Sequence, residues 1–173
     1  MKNSKFTQQY SIPFSGLKAG LHNFTFLIDN QLKDFFSIEE FLSIQATANV
    51  AMEKKETMLM FDFSIKGILE MNCDRCNAPI NHDFFAEQDL IVKFSDRIGS
   101  EENDILFLSS QDHEIDLSHY IYELILLHVP LKKAHESEDL CDTDVIKALK
   151  KLEIKTSTVD PRWEKLKNLR INN

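Results

Sequence analysis

Four side chains in this sequence could hold a metal ion together. Cys73 and Cys76 stand three positions apart in Cys73-Asp74-Arg75-Cys76, and Cys141 and His135 lie well downstream. Zn²⁺ takes four tetrahedral sulfur or nitrogen ligands. A CxxC on a tight turn can aim two sulfurs at one ion, so two more ligands must come from elsewhere. Cys141 is the remaining cysteine of the three, and His135 precedes it in His135-Glu136-Ser137-Glu138-Asp139-Leu140-Cys141, a stretch with no hydrophobic period. The four make a Cys3His candidate for one structural zinc. Two other readings stand beside it. A redox CxxC opens a helix after a strand in a βαβ setting, whereas here Asn77-Ala78-Pro79 follows in an apparent hairpin. Alternatively, the thiols are simply small buried residues, as free cysteines often are. His22, His82, His113, His119 and His128 form no i, i+4 pair and read as surface or boundary residues.

A second candidate lies near the end of the chain. Trp163 sits among Arg162, Lys165, Lys167 and Arg170, and an aromatic beside several cations can stack on an unpaired base while the cations meet phosphates. Trp163 and Leu166, at helical spacing, could equally dock a terminal helix. Docking would turn the basic face outward, so the two readings are compatible. The basic segment 147–173 holds eight Lys and Arg against three acids, a net of +5, while the other 146 residues carry −13 of the total −8. So acidic a body is no general nucleic-acid footprint, because phosphate binding is driven by Lys and Arg releasing counterions. Alternatively, the late cations complement helix C-termini and keep the segment solvated.

Catalytic signatures are missing. The chain has four Gly, no Gly-rich phosphate loop, no G-x-S-x-G elbow and no H-E-x-x-H. Glu101-Glu102 and Glu136-Ser137-Glu138-Asp139 read as solvated loop charges rather than acid and base pairs. No enzyme and no small-molecule substrate are expected. The first ten residues lack the apolar stretch of a secretory signal, and the longest apolar run is far short of the roughly 20 residues of a membrane span. Reduced thiols in a cytoplasmic protein fit the cysteine pattern.

The elements that must position these side chains follow from patterning. With 173 residues, 43% hydrophobic, the chain suits one domain over 1–173 with its own core. Phe24–Ile28 is a β-prone run, and Ala46–Met52 meets Met58–Ile65 across Glu53-Lys54-Lys55-Glu56 as a hairpin. Phe61 to Lys66 alternates with period two. A further strand is expected over Gly67–Asn72, and Pro79–Phe94 returns with Phe84, Leu90, Val92 and Phe94 inward, so the CxxC falls on a turn. Ser37-Ile38-Glu39-Glu40 has capping-box spacing and predicts a short helix to about Gln45. From Ser95 to Glu114 the chain is polar, predicting mobile loops around a short strand, Ile105–Leu108. Asp116 then caps a helix with Leu117, Tyr120, Ile121, Leu124 and Leu127 on one face, stopped by Pro130. A second helix starts at Asp142-Thr143, and a third at Asp160-Pro161. Sheet first and helices last indicate an α+β fold, mainly antiparallel. Phe61, Phe63 and Ile65 are expected to share a core with Leu117, Ile121 and Leu124.

Three segments together resemble the YceD family over about residues 10–170. They are the turn Cys73-Asp74-Arg75-Cys76 after a strand, the run from Glu114-Ile115-Asp116-Leu117 to Glu123-Leu124-Ile125-Leu126-Leu127-His128-Val129-Pro130-Leu131, and the ending Asp160-Pro161-Arg162-Trp163-Glu164-Lys165-Leu166. The resemblance implies a role in ribosome biogenesis, in the accumulation of large-subunit ribosomal RNA. The implied partners are that RNA or its precursor particles, or a ribosomal protein. Many members carry further cysteines just after the helix-ending Pro-Leu; here that stretch offers His135 and Cys141. A protein-interaction module with a zinc-type turn and no RNA contact is the alternative.

Overall fold

The computed structural model describes residues 8–95, 101–102, 105–109 and 111–152. The third helix expected from Asp160-Pro161 lies outside them, as do Arg162, Trp163, Lys165, Lys167 and Arg170. So does much of the loop expected to be mobile, at 96–100, 103–104 and 110. The fold is α+β, as the order of elements predicts: a largely antiparallel sheet with helices at the end of the described chain.

The strands are β1 (Ser11–Ile12), β2 (Gly20–Ile28), β3 (Ser43–Lys54), β4 (Met58–Asn72), β5 (Pro79–Phe94), β6 (Glu101–Glu102), β7 (Ile105–Leu108) and β8 (Ile115–Asp116). One six-stranded sheet runs β2-β3-β4-β5-β7-β6, and β1 pairs with β8 separately. All neighbours in the large sheet are antiparallel except β5 and β7, which run parallel. Strict alternation fixes its two faces. Phe61, Phe63 and Ile65 of β4 point inward beside Ala48, Val50 and Met52 of β3 and Ala86 and Leu90 of β5, as expected of a sheet with one dry and one wet side.

Three strands, β2, β3 and β4, are longer than patterning suggests. β4 runs unbroken through Gly67, where a new strand is expected, because Gly67 faces Ala46 across the ladder. A Cβ on Gly67 would lie 2.4 Å from the Ala46 Cβ. Glycine is thus required there by close approach, not by a turn.

The dry face is covered by α1 (Asn30–Phe36) and α2 (Ser118–Leu127), whose Phe36 and Tyr122 rings stack at 4.3 Å. The helix expected from Ser37 is displaced. Asp29 is the true N-cap, its side chain accepting the Gln31 N–H at 2.8 Å, and Ser37 ends the helix in the left-handed region at φ 54°. The Ile38 N–H then reaches back to the Lys33 carbonyl at 3.0 Å, the 6→1 bond of a Schellman ending. The apolar run Leu32, Phe35 and Phe36 outweighs the capping-box spacing after it.

In α2 the buried face is Ile121, Leu124 and Ile125, continuing Leu117 just before it. The expected Leu127 is instead 75% exposed and Tyr120 half-buried. At 100° per residue both lie beside the stripe centred on 117, 121, 124 and 125. The N-cap is Leu117 rather than the expected Asp116, which stands one residue earlier and still takes up a free helix donor, its Oδ1 accepting the Ser118 N–H at 2.9 Å. The helix ends at Leu127, ahead of Pro130. A short 3₁₀ turn (Glu138–Leu140) leads into α3 (Thr143–Leu152), whose N-terminus is capped by Asp142 through the Asp144 and Val145 N–H groups. In α3, Ile146 is buried, while Leu149 and Leu152 are exposed.

Candidate metal centre

The link between β4 and β5 is a tight knuckle. The Cys73 N–H donates to the Ala78 carbonyl at 2.8 Å, and the Asn77 N–H donates to the Cys73 carbonyl at 2.8 Å. Asn77 turns the chain at φ 60°, a left-handed conformation Asn tolerates well. Both sulfurs of the CxxC therefore leave the same side of the turn.

The segment after α2 is laid across this knuckle by a reciprocal pair of bonds. The Asp74 N–H donates to the Lys133 carbonyl. In return, the Lys133 N–H donates to Asp74 Oδ2 at 2.7 Å. That contact brings His135, and after the 3₁₀ turn Cys141, onto the two sulfurs. The donor atoms of Cys73, Cys76, His135 and Cys141 all lie within 4.8 Å of one another. His135 Nδ1 is 3.6 Å from Cys76 Sγ and 3.5 Å from Cys141 Sγ. A tetrahedron with metal–ligand bonds of about 2.0–2.3 Å has edges of about 3.3–3.8 Å, so the two His135 separations suit a common tetrahedral ion. The donor set, three sulfurs and one imidazole nitrogen, is also that of a closed structural site. This group can hold a metal ion.

The three cysteines are free of disulfides and buried, in environments that differ. Burial pushes the Cys73 thiol up. The backbone N–H groups of His135, Cys76 and Arg75, helped by the His135 ring, outweigh burial and bring the thiol down to about 6. Cys141 is raised, first by burial and then by the neighbouring Cys76 thiol, with the Arg75 side chain opposing. Arg75 Nη1 approaches Cys141 Sγ at 3.5 Å. A closed site of three thiolates around a divalent ion carries a net charge of −1, and the guanidinium is placed to offset it. Ligand reasoning misses Arg75, although it stands inside the CxxC. The only sequence signal for it is a cation adjacent to the sulfurs.

The matched family is "Large ribosomal RNA subunit accumulation protein YceD", over residues 61–170, more than half of the chain. The chain belongs to the YceD family. Searches of curated proteins and of solved structures find no match. The YceD match spans the CxxC knuckle, α2, the His135–Cys141 segment and α3, and thus includes all four candidate ligands. Membership links the chain to large-subunit ribosomal RNA accumulation. Among the described residues, no helix is long and apolar enough to cross a membrane.

Proposed function

We propose that this protein is a non-enzymatic, cytoplasmic accessory factor of large-subunit ribosome biogenesis, supporting accumulation, processing or stability of the ribosomal RNA. The carrying observation is membership of the YceD family over 61–170. In this reading the whole chain works as one unit. Cys73, Cys76, His135 and Cys141 hold one structural Zn²⁺, supported by the Cys3His donor set and its spacing. The segment 147–173 meets RNA through Arg162, Trp163, Lys165, Lys167 and Arg170. Its net charge of +5 within a chain of −8 supports this role.

The deciding experiment is sedimentation of cell extracts. The protein is expected to travel with large-subunit precursor particles, and its depletion is expected to lower large-subunit ribosomal RNA relative to the small-subunit species. A protein found only at the top of the gradient, with normal RNA levels on depletion, would remove the proposal. Contact between the basic segment and RNA has its own signature. If about four phosphates are engaged, log K should fall with log salt at a slope near −3, using roughly −0.7 per contact for single strands. Replacing Lys165, Lys167 and Arg170 by Gln should flatten that slope. An affinity indifferent to salt and to those changes would favour the second reading, a protein-interaction module without RNA contact. The acidity of the rest of the chain supports that reading, since its −13 would repel phosphate.

A further inference from the structure

The wet face of the large sheet is unusual in what it exposes. Leu27, Ile68 and Phe85 are 71%, 44% and 57% exposed, and all three lie on this one face. The ladder sets Leu27, Thr47, Lys66 and Phe85 in one row across four strands, with Ile68 in the next row opposite Asp83. Leu27, Thr47, Lys66, Ile68 and Asp83, with Gln45 and Gly67, line an open concavity of about 610 Å³, and Phe85 stands beside Lys66 in the row. Directly along the sheet, a second concavity of about 550 Å³ is lined by Thr25, Asn49, Ser64, Asp62, Glu87 and Asp89. Leu27 and Ile68 give the first an apolar part beside Lys66 and Asp83, the second is acidic and polar, and the ladder makes the two adjacent along one strip of this face.

The acids on this strip are arranged at a cost. Asp62 and Asp89 are direct cross-strand partners, and like charges so opposed destabilise an antiparallel pair. Asp83, Glu87 and Asp89 follow at alternate positions of β5, all exposed. None of these four carboxylates joins an ion pair among the described residues. Among the described residues, Lys66 is the one cation lining the two concavities, against these four carboxylates.

We infer that this open face docks a basic polypeptide, a Lys- and Arg-rich segment that carries at least one apolar side chain. The cations would neutralise Asp62, Glu87 and Asp89, while the apolar side chain would sit among Leu27, Ile68 and Phe85. Charge decides the class of partner, because an RNA strand would meet uncompensated carboxylates, whereas basic proteins of the large subunit match them. The inference rests on the ribosomal reading proposed above for the identity of the partner, and on the sheet alone for its chemistry.

The test uses the full-length protein with the photo-crosslinking residue p-benzoylphenylalanine at Asn49, in the middle of the strip, or at Glu123 on α2 as the control. Each is mixed with purified large-subunit ribosomal proteins stripped of RNA and, separately, with purified large-subunit ribosomal RNA. Asn49 should capture one or a few basic proteins at least about tenfold more than Glu123 does, and the doubled reversal Asp62→Lys and Asp89→Lys should reduce that capture by a similar factor. Phe85→Ser should reduce capture without changing its salt dependence, and thermal melts of these surface variants should match the parent. Equal capture from the two positions, capture untouched by charge reversal, or crosslinking of Asn49 to RNA would each overturn the inference. Sedimentation reports separately on the ribosomal reading: capture without co-sedimentation retains the docking face and removes that reading. Co-sedimentation without capture does the reverse.

Discussion

Among the described residues, two buried clusters differ in how they are held together. The larger gathers the inner face of the sheet, Leu117 and the buried stripe of α2 into one apolar core, with Phe61, Ile65, Leu117 and Ile121 fully buried. The smaller consists of Cys73, Cys76, Cys141 and Ile146, edged by Ala78, Ile80, Ala134 and Val145. Burial of large aliphatic and aromatic side chains, at about 1.5–3 kcal/mol each, can sustain the first. The second has a single large aliphatic side chain to set against ordering the chain from Leu131 to Cys141, where Leu131 and Leu140 are themselves exposed. Fixing a backbone costs about 1–2 kcal/mol per residue. The comparison teaches that the sheet stabilises itself, while the segment carrying His135 and Cys141 relies on polar bonds and, in the reading proposed above, on the metal.

The largest way to test that difference is to damage the first cluster. Phe61→Ala should cost about 3–5 kcal/mol and Leu124→Ala about 2–5 kcal/mol, read as lower midpoints in denaturant unfolding. Unchanged midpoints would mean that the apolar core does not hold the sheet. Removing the metal should act on the other side of the comparison. A strong chelator, or Cys141→Ser, should open residues 131–152 to limited proteolysis and to amide exchange while β3, β4 and β5 stay protected. Loss of protection throughout the sheet would show that the two clusters are not separable. Acid should imitate the chelator, because protons compete for the thiolates. Retention is expected at neutral pH, with release as pH falls far enough for protons to displace the ion from the thiolates. A chromogenic zinc indicator would follow the release.

Gly67→Ala probes the ladder itself. The added Cβ would lie 2.3 Å from the Gln45 carbonyl oxygen, so a loss of about 1–3 kcal/mol is expected, with metal retention unaltered. The smallest change should go the other way. Ser37→Gly relieves a left-handed residue at φ 54°, with an expected gain of about 0.5 kcal/mol after the added freedom of the unfolded chain is subtracted. Thermal unfolding of the metal-loaded protein would resolve both.

Residue types and short-range periodicity made much of this legible. The β5 boundaries Pro79–Phe94 and the inward alternation of β4 follow from local patterning, because a strand's two faces are set by period two wherever one face is buried. The candidate group Cys73, Cys76, His135 and Cys141, which the fold brings together, was likewise readable from donor chemistry, since the chain offers so few thiols. Ser37 marks where local reading failed: capping-box spacing resembles a helix start, but the preceding apolar residues had already built the helix that Ser37 ends.

Three features were decided only by tertiary structure. The Asp74–Lys133 bonds that carry His135 to the CxxC join residues 59 positions apart, and no local pattern encodes their meeting. Gly67 needs its missing side chain because Ala46 of another strand passes close by. The opposition of Asp62 and Asp89, with Leu27, Ile68 and Phe85 on the same open face, exists only once the ladder register is set. Sequence determined which groups were available and which way each strand would face; the pairing of distant strands and loops determined which groups meet, because that depends on long-range packing rather than on neighbours along the chain.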